Sequence, residues 1–293
     1  MARVSFGDRK SVASAIVNVL LFTAIGYAVF LGVGKVIGLG PSLFFLRLGA
    51  ALVIGFGLAT WVIGVRLNHY TWSDLGWRQA AVRPWLQGVV IGVVTAAIAL
   101  VLALITGTRF IFSSQAGSWL AAVVPLALGL ALMALGGLAY LAFPLRRLTD
   151  VIGMIPATLT IAVIAAVLQS RGSFTTFFSI VNVVLATIWL SVAFFSAGGF
   201  PLAWGVQFGW TAMLTLLNAS ATTFVFQTPG VIHLAGPYRW IDGGPTGIEG
   251  GIVASLALFA GILYIRGAKG AFPSPRSPAR PIGPPVAGGG PPR

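Results

Sequence analysis

Few residues in this chain are equipped for chemistry. Only two histidines occur, His69 and His233, and five acids, Asp8, Asp74, Asp150, Asp242 and Glu249. Cysteine is absent, which removes disulfides, thiolate metal sites and cysteine nucleophiles. A zinc-hydrolase helix of the HExxH type needs two histidines one turn apart, whereas His69 and His233 lie in separate loops. No GxSxG nucleophile elbow is present. His233, Asp242 and Glu249 fall around one loop and could in principle make an acid–base site. The plainer reading leaves His233 solvated and has Glu249 complement the N-terminal dipole of the following helix. Gln169, Asn182 and Gln207 sit inside apolar runs. Interhelical hydrogen bonds of about 1 kcal/mol are the ordinary use of such residues in lipid.

The elements that hold these residues are built for a membrane. Of 293 residues, 57% are hydrophobic and 8% charged. A water-soluble domain carries roughly 25% charged residues. Apolar segments long enough to span a bilayer are expected at 11–36, 43–65, 85–105, 119–143, 151–168, 177–195, 202–226 and 248–265. The fold class is therefore all-α, a polytopic bundle of about eight transmembrane helices. The first segment exceeds the ~7–15 residues of a secretory core and is read as a retained span. Residues 1–10 form a basic leader and 11–266 the bundle. The Pro-, Gly- and Arg-rich stretch 267–293 has too little to bury and is expected to be a disordered tail. Tyr70, Trp72 and Trp77, within the polar stretch 66–84, suit the headgroup region.

The formal charge of +13 reads as a topology signal rather than a nucleic-acid footprint. With both termini cytoplasmic, that side receives thirteen of the 18 lysines and arginines: Arg3, Arg9, Lys10, Arg66, Arg78, Arg83, Arg146, Arg147, Arg266, Lys269, Arg276, Arg280 and Arg293. The far side keeps Lys35, Arg47, Arg109, Arg171 and Arg239, with Arg47 inside the second span. This follows the positive-inside rule.

Four segments then carry a family resemblance. Ser73-Asp74-Leu75-Gly76-Trp77-Arg78 looks like an "LGLR" element. Gly136 to Leu148, GGLAYLAFPLRRL, looks like a catalytic motif of the form EExxFRGxxxxRL with its basic exit. Ala203 to Leu214, AWGVQFGWTAML, looks like a motif of the form HxxxN or HxxxD. Arg239 to Gly251, RWIDGGPTGIEGG, looks like a Gly-rich loop with a Glu before a final helix. In this order the chain resembles the CPBP intramembrane metalloproteases, the group of CAAX prenyl endopeptidases and bacteriocin-processing proteins. The resemblance covers most of the chain. It implies a site in which glutamates and histidines hold a metal and activate water. Each such position is substituted here. Gly136 and Gly137 stand for the Glu pair, Leu141 for the Arg, Gln169 for an intermediate His, and Gln207 and Thr211 for the last His and Asn or Asp, while Arg146 and Arg147 keep the basic exit.

Glycine has no side chain to hold a metal, and a neutral amide is a poor zinc ligand. The expectation is a catalytically silent member with no retained zinc site and no cofactor. It would work as a binding or assembly subunit in a bacterial inner (plasma) membrane, through a cavity of Gln169, Gln207, Thr211 and Asn182. Its expected partners are membrane lipid and another membrane protein or peptide, and not nucleic acid. Two alternatives stand beside this reading. One is an active endopeptidase with its site relocated to His233, Asp242 and Glu249. The other is a lipid or small-molecule carrier whose Gly129, Gly136, Gly137 and Ala142 allow helices to slide.

Overall fold

A computed structural model describes residues 9–37, 43–77, 82–113, 119–171, 175–220 and 227–268. The leader before Arg9 and the tail after residue 268 lie outside these, as does Arg78 of the LGLR-like element. The chain is mostly helical. Its elements are α1 (Arg9–Val36), α2 (Phe44–Ala59, continued by a π-helix, Thr60–Leu67), α3 (Val82–Ile105), β1 (Arg109–Phe112), α4 (Trp119–Ile152), α5 (Met154–Gln169), α6 (Phe177–Phe195), α7 (Gly199–Leu216), β2 (Val231–Leu234), a short α8 (Arg239–Asp242) and α9 (Ile252–Gly267). Among the described residues, five helical segments are long and apolar enough to cross a membrane: Ser11–Val36, Phe44–Leu67, Val82–Ile105, Val123–Ile152 and Phe177–Phe195. Apolar side chains such as Leu20, Val94, Val163 and Leu256 lie exposed along successive helices. Exposed apolar surface this extensive belongs in lipid.

Two helix pairs form the frame. α3 packs on α7, and α2 on α4. Glycine explains how closely the first pair approaches. Gly88 and Gly92 of α3 face Gly205 and Gly209 of α7. A Cβ on Gly88 would lie 2.2 Å from the Leu202 carbonyl oxygen, and one on Gly205 would lie 2.1 Å from that of Trp85. Each helix thus carries a small-xxx-small stripe that lets the two backbones touch. α9 closes against α3 and α6, and α5 against α4 and α6. The main core lies between them and includes Leu138, Leu145, Trp189, Val206, Leu214 and Leu258.

Three boundaries differ from the sequence reading by four residues or more. α4 does not end at Phe143; it continues through Pro144 to Ile152, so Arg146 and Arg147 are helical. Proline in a helix interior costs ~3 kcal/mol, but buried Leu145 and Leu148 hold this stretch to the core. The helix stops at Gly153, whose φ is +88°. α7 ends at Leu216 and does not reach 226. Asn218 takes a left-handed conformation (φ +52°), as the residue after a helix often does. Its side chain donates to the Thr228 and Val231 carbonyls at 3.1 and 2.7 Å. Residues 221–226 are outside the described set. The last helix starts at Ile252 rather than 248, after a 3-10 turn, Ile248–Gly250.

The Gly- and Pro-rich loop 227–247 also contains unanticipated order. β2 pairs antiparallel with β1, Arg109 opposite Leu234 and Phe112 opposite Val231. The Phe110 ring stacks on His233 with centroids 5.3 Å apart.

Candidate functional site

The β1–β2 pair, α8 and the turn before α9 cap one end of the bundle. Asp242 fastens this cap. It is buried and accepts hydrogen bonds from Thr108 Oγ1 and the Gly244 amide, both at 3.0 Å, and from the Gly236 amide. The loop beyond it turns through Gly243 (φ +80°) and Gly247 (φ +72°). A Cβ on Gly247 would lie 2.6 Å from the Ala219 carbonyl oxygen, so only glycine fits that left-handed turn. The neighbouring Ile248 amide donates to the same Ala219 carbonyl at 2.8 Å. These contacts deliver Glu249 to the mouth of the bundle.

Glu249 makes no side-chain capping hydrogen bond to α9, whose N-cap is Gly251. Its carboxylate instead accepts from Trp210 Nε1 on α7 at 3.2 Å and from Ser220 Oγ at 2.7 Å. Asn182, buried on α6, clamps the same turn. Its Nδ2 donates to the Glu249 and Gly251 carbonyls, both at 2.8 Å, and its Oδ1 accepts from Ser255 Oγ of α9 at 2.6 Å. The start of α6 is fixed by a reciprocal box. Thr176 Oγ1 accepts from the Ser179 amide at 3.0 Å and Ser179 Oγ from the Thr176 amide at 2.9 Å. Thr176 also donates to the Gly250 carbonyl at 3.0 Å.

Between these elements lies a cavity of about 260 Å³, lined by Gln169, Ser179, Asn182, Val183, Ala186, Trp210, Thr246, Glu249 and Leu258. It presents a carboxylate, two carboxamides and two hydroxyls above an apolar floor. Such a wall suits hydrogen-bond donors on a ligand, including a cationic one.

The sequence-derived candidates therefore separate. Gln169 and Asn182 meet in this cavity, together with Glu249. Asn182 forms the interhelical hydrogen bond expected of a polar residue there. Gln207 and Thr211 do not line the cavity. Gln207 instead faces α4, where a Cβ added to Gly137 would lie 3.3 Å from its Nε2. Its Oε1 is buried without a hydrogen-bond partner among the described residues. Leu141 lies in the main core. Gly136 serves packing, since a Cβ there would come within 2.4 Å of Leu52 Cβ on α2. Gly129 is similarly pressed on Phe45, 2.7 Å from Cβ to Cβ. A glycine and an amide facing each other do not fit a catalytic zinc, which takes about three His, Cys or carboxylate ligands.

The three residues of the relocated-site alternative have different surroundings. His233 stands on the strand pair, where burial pushes its pKa below the usual value against an opposing pull from Asp242. Asp242 is engaged with backbone amides, and Glu249 belongs to the cavity. Among the described residues, no three or more histidines and acids gather as a metal site.

No family model, curated protein or solved structure matches this chain.

At the opposite end, Tyr70 donates to Asp150 Oδ2 at 2.6 Å, and Arg146 pairs with Asp150 Oδ1 at 3.5 Å. Burial and the adjacent carboxylate hold the Tyr70 hydroxyl up to about 12. Arg147 reaches Ser14 of α1 at 3.3 Å. The basic exit of α4 thus ties α1, α4 and the α2–α3 connection together.

The sequence reading missed Trp210, Ser179 and Thr246 as cavity residues. An indole within an apolar helix carries no signal until its N–H is seen to meet a carboxylate.

Proposed function

We propose that this chain is a non-hydrolytic membrane protein built on a CPBP-type scaffold, which holds a partner membrane protein or peptide through the polar cavity at Glu249. The observation that carries this reading is the facing of Gly137 and Gln207 across α4 and α7. These are positions where the resemblance expects a Glu and a His, and neither residue can ligate zinc well or activate water. The two residues lie far apart in sequence and meet where α4 packs on α7. What remains for function is recognition, and the cavity supplies a carboxylate, amides and hydroxyls for it. The ligand chemistry that fits is a hydrogen-bond donor or cation on a peptide segment, such as an amine, a guanidinium or free amide N–H groups.

In this reading the eight helices of 16 residues or more all cross the bilayer. The two short apolar ones, α5 and α9, span it with help from their packed neighbours. Both termini then lie in the cytoplasm of a bacterial cell, with the cap and cavity outside. The charge asymmetry supports this orientation.

The test is affinity purification at native abundance in mild detergent, with mass spectrometry of what remains bound. A partner in stoichiometric amount that is lost with Gln169→Leu, while the variant stays monodisperse, is expected. Chelator-sensitive endopeptidase activity in the purified wild type would overturn the reading. So would a partner held equally well by the variant.

A further inference from the structure

The end of the bundle away from the cap holds a second, larger recess. The first turns of α3, the α6–α7 turn and the last turn of α9 enclose a groove of about 880 Å³. That volume falls within the ~300–1,000 Å³ of ligand-sized sites. Leu86, Val90, Ile91, Leu202 and Ile265 make its walls. Leu86, Val90 and Tyr264 are also exposed on the helix exteriors, so the groove opens sideways from the bundle and not only along its axis. Arg83, in the first turn of α3, is exposed and stands at the lip. Among the described residues, no acid lines the groove. A groove with mainly apolar walls, in which Arg83 is the one charged residue among the described residues that line it, matches a molecule with a hydrocarbon chain and a negative charge.

We propose that this groove seats one phospholipid with a net-negative headgroup, of the phosphatidylglycerol class. Arg83 meets the phosphate, and one acyl chain lies along Leu86, Val90 and Ile265. The charge at the lip selects the headgroup, and the trough selects a chain over bulk solvent. An arginine at the headgroup plane favours an anionic over a zwitterionic lipid by about fivefold. This requires only that the bundle sit in a bilayer, and it is independent of what the Glu249 cavity holds.

The experiment is native mass spectrometry of the full chain, released from nanodiscs of equal phosphatidylglycerol and phosphatidylcholine. The wild type should retain one phosphatidylglycerol with about fivefold enrichment. Arg83→Ala should keep a lipid but lose the preference. Leu86→Trp, at a half-exposed position, should fill the groove and abolish retention while the variant stays monodisperse. Equal retention of both lipids by the wild type overturns the proposal, as does an undiminished preference in Arg83→Ala. A photoreactive residue at position 86 should label phosphatidylglycerol in preference to phosphatidylcholine; equal labelling of the two, or labelling of the chain's own residues 269–293 or of a second copy, would also overturn it.

Discussion

The α3–α7 seam and the Glu249 cavity are two contacts made by the same helix, and they solve opposite problems. Along the seam, Gly205 and Gly209 remove side chains so that backbone meets backbone, with no space left. Further along α7 and around it, Trp210 reaches Glu249 while Gln169, Asn182 and Thr246 keep a polar space open. In lipid there is little hydrophobic drive between helices, so dry contact and hydrogen bonds must hold them together. The seam relies on contact. The cavity relies on hydrogen bonds, and that leaves room for something else to bind. Disruption of the first should therefore cost folding, and disruption of the second should cost recognition.

The largest effect that would break this comparison is at the seam. Gly205→Leu drives a side chain into the Trp85 carbonyl and should cost about 3 kcal/mol or more, read as loss of monodisperse protein in detergent. A well-folded variant would mean that α3 and α7 are not held by close contact. Next comes Asn182→Leu, which removes the clamp on the Glu249 turn. It should cost about 1–3 kcal/mol, measured by thermal unfolding in micelles, and should also loosen α6 from α9. An unchanged melting temperature would place the strength of that corner elsewhere.

A smaller effect concerns the cap. Folding lowers the pKa of His233 from 6.5, so the unfolded chain binds a proton more readily than the folded one. Stability should therefore be full above pH 6.5 and decline as pH falls below it. His233→Phe should flatten that slope in pH-dependent unfolding, whereas an unchanged slope would assign it to another group. Smallest of all is the stability change in Gln169→Leu. The residue lines the cavity, so the shift should stay within about 0.5 kcal/mol even where the proposed partner is lost. A large drop in melting temperature would make Gln169 a packing residue and blur the contrast between seam and cavity.

Much of the architecture was legible before any coordinates. The span at 177–195 coincides with α6, because an uninterrupted apolar run bounded by Thr176 and Ser196 has only one reading. Boundaries failed where tertiary contacts overrode local signals. The fourth span was expected to end at residue 143, but buried Leu145 and Leu148 carried α4 onward through Pro144. The apolar run after Leu216 suggested continuation, but Asn218 turned the chain and bound residues 228 and 231 through its side chain. The short strands were invisible because each is four residues long and gains order only from the other.

The site was legible in part. Gln169 and Asn182 stood out as polar residues in apolar helices, and both line the cavity. Glu249 was read as a helix cap, since sequence distance alone could not show that Trp210 and Ser220 would claim its carboxylate. The glycines of α3 and α7 likewise carry no message singly; the message is their alignment across two helices more than a hundred residues apart.

Composition by itself determined that this chain belongs in a membrane, since so few charges cannot cover a water-soluble surface. That Gly136, Gly137 and Gln207 are poor metal ligands was equally plain from sequence, because a residue's ligating chemistry is intrinsic to its side chain. Only the tertiary structure decided which of the remaining polar groups meet. Hydrogen bonds and cavities depend on distances of a few ångströms, and those are fixed by how helices pack rather than by the order in which they occur.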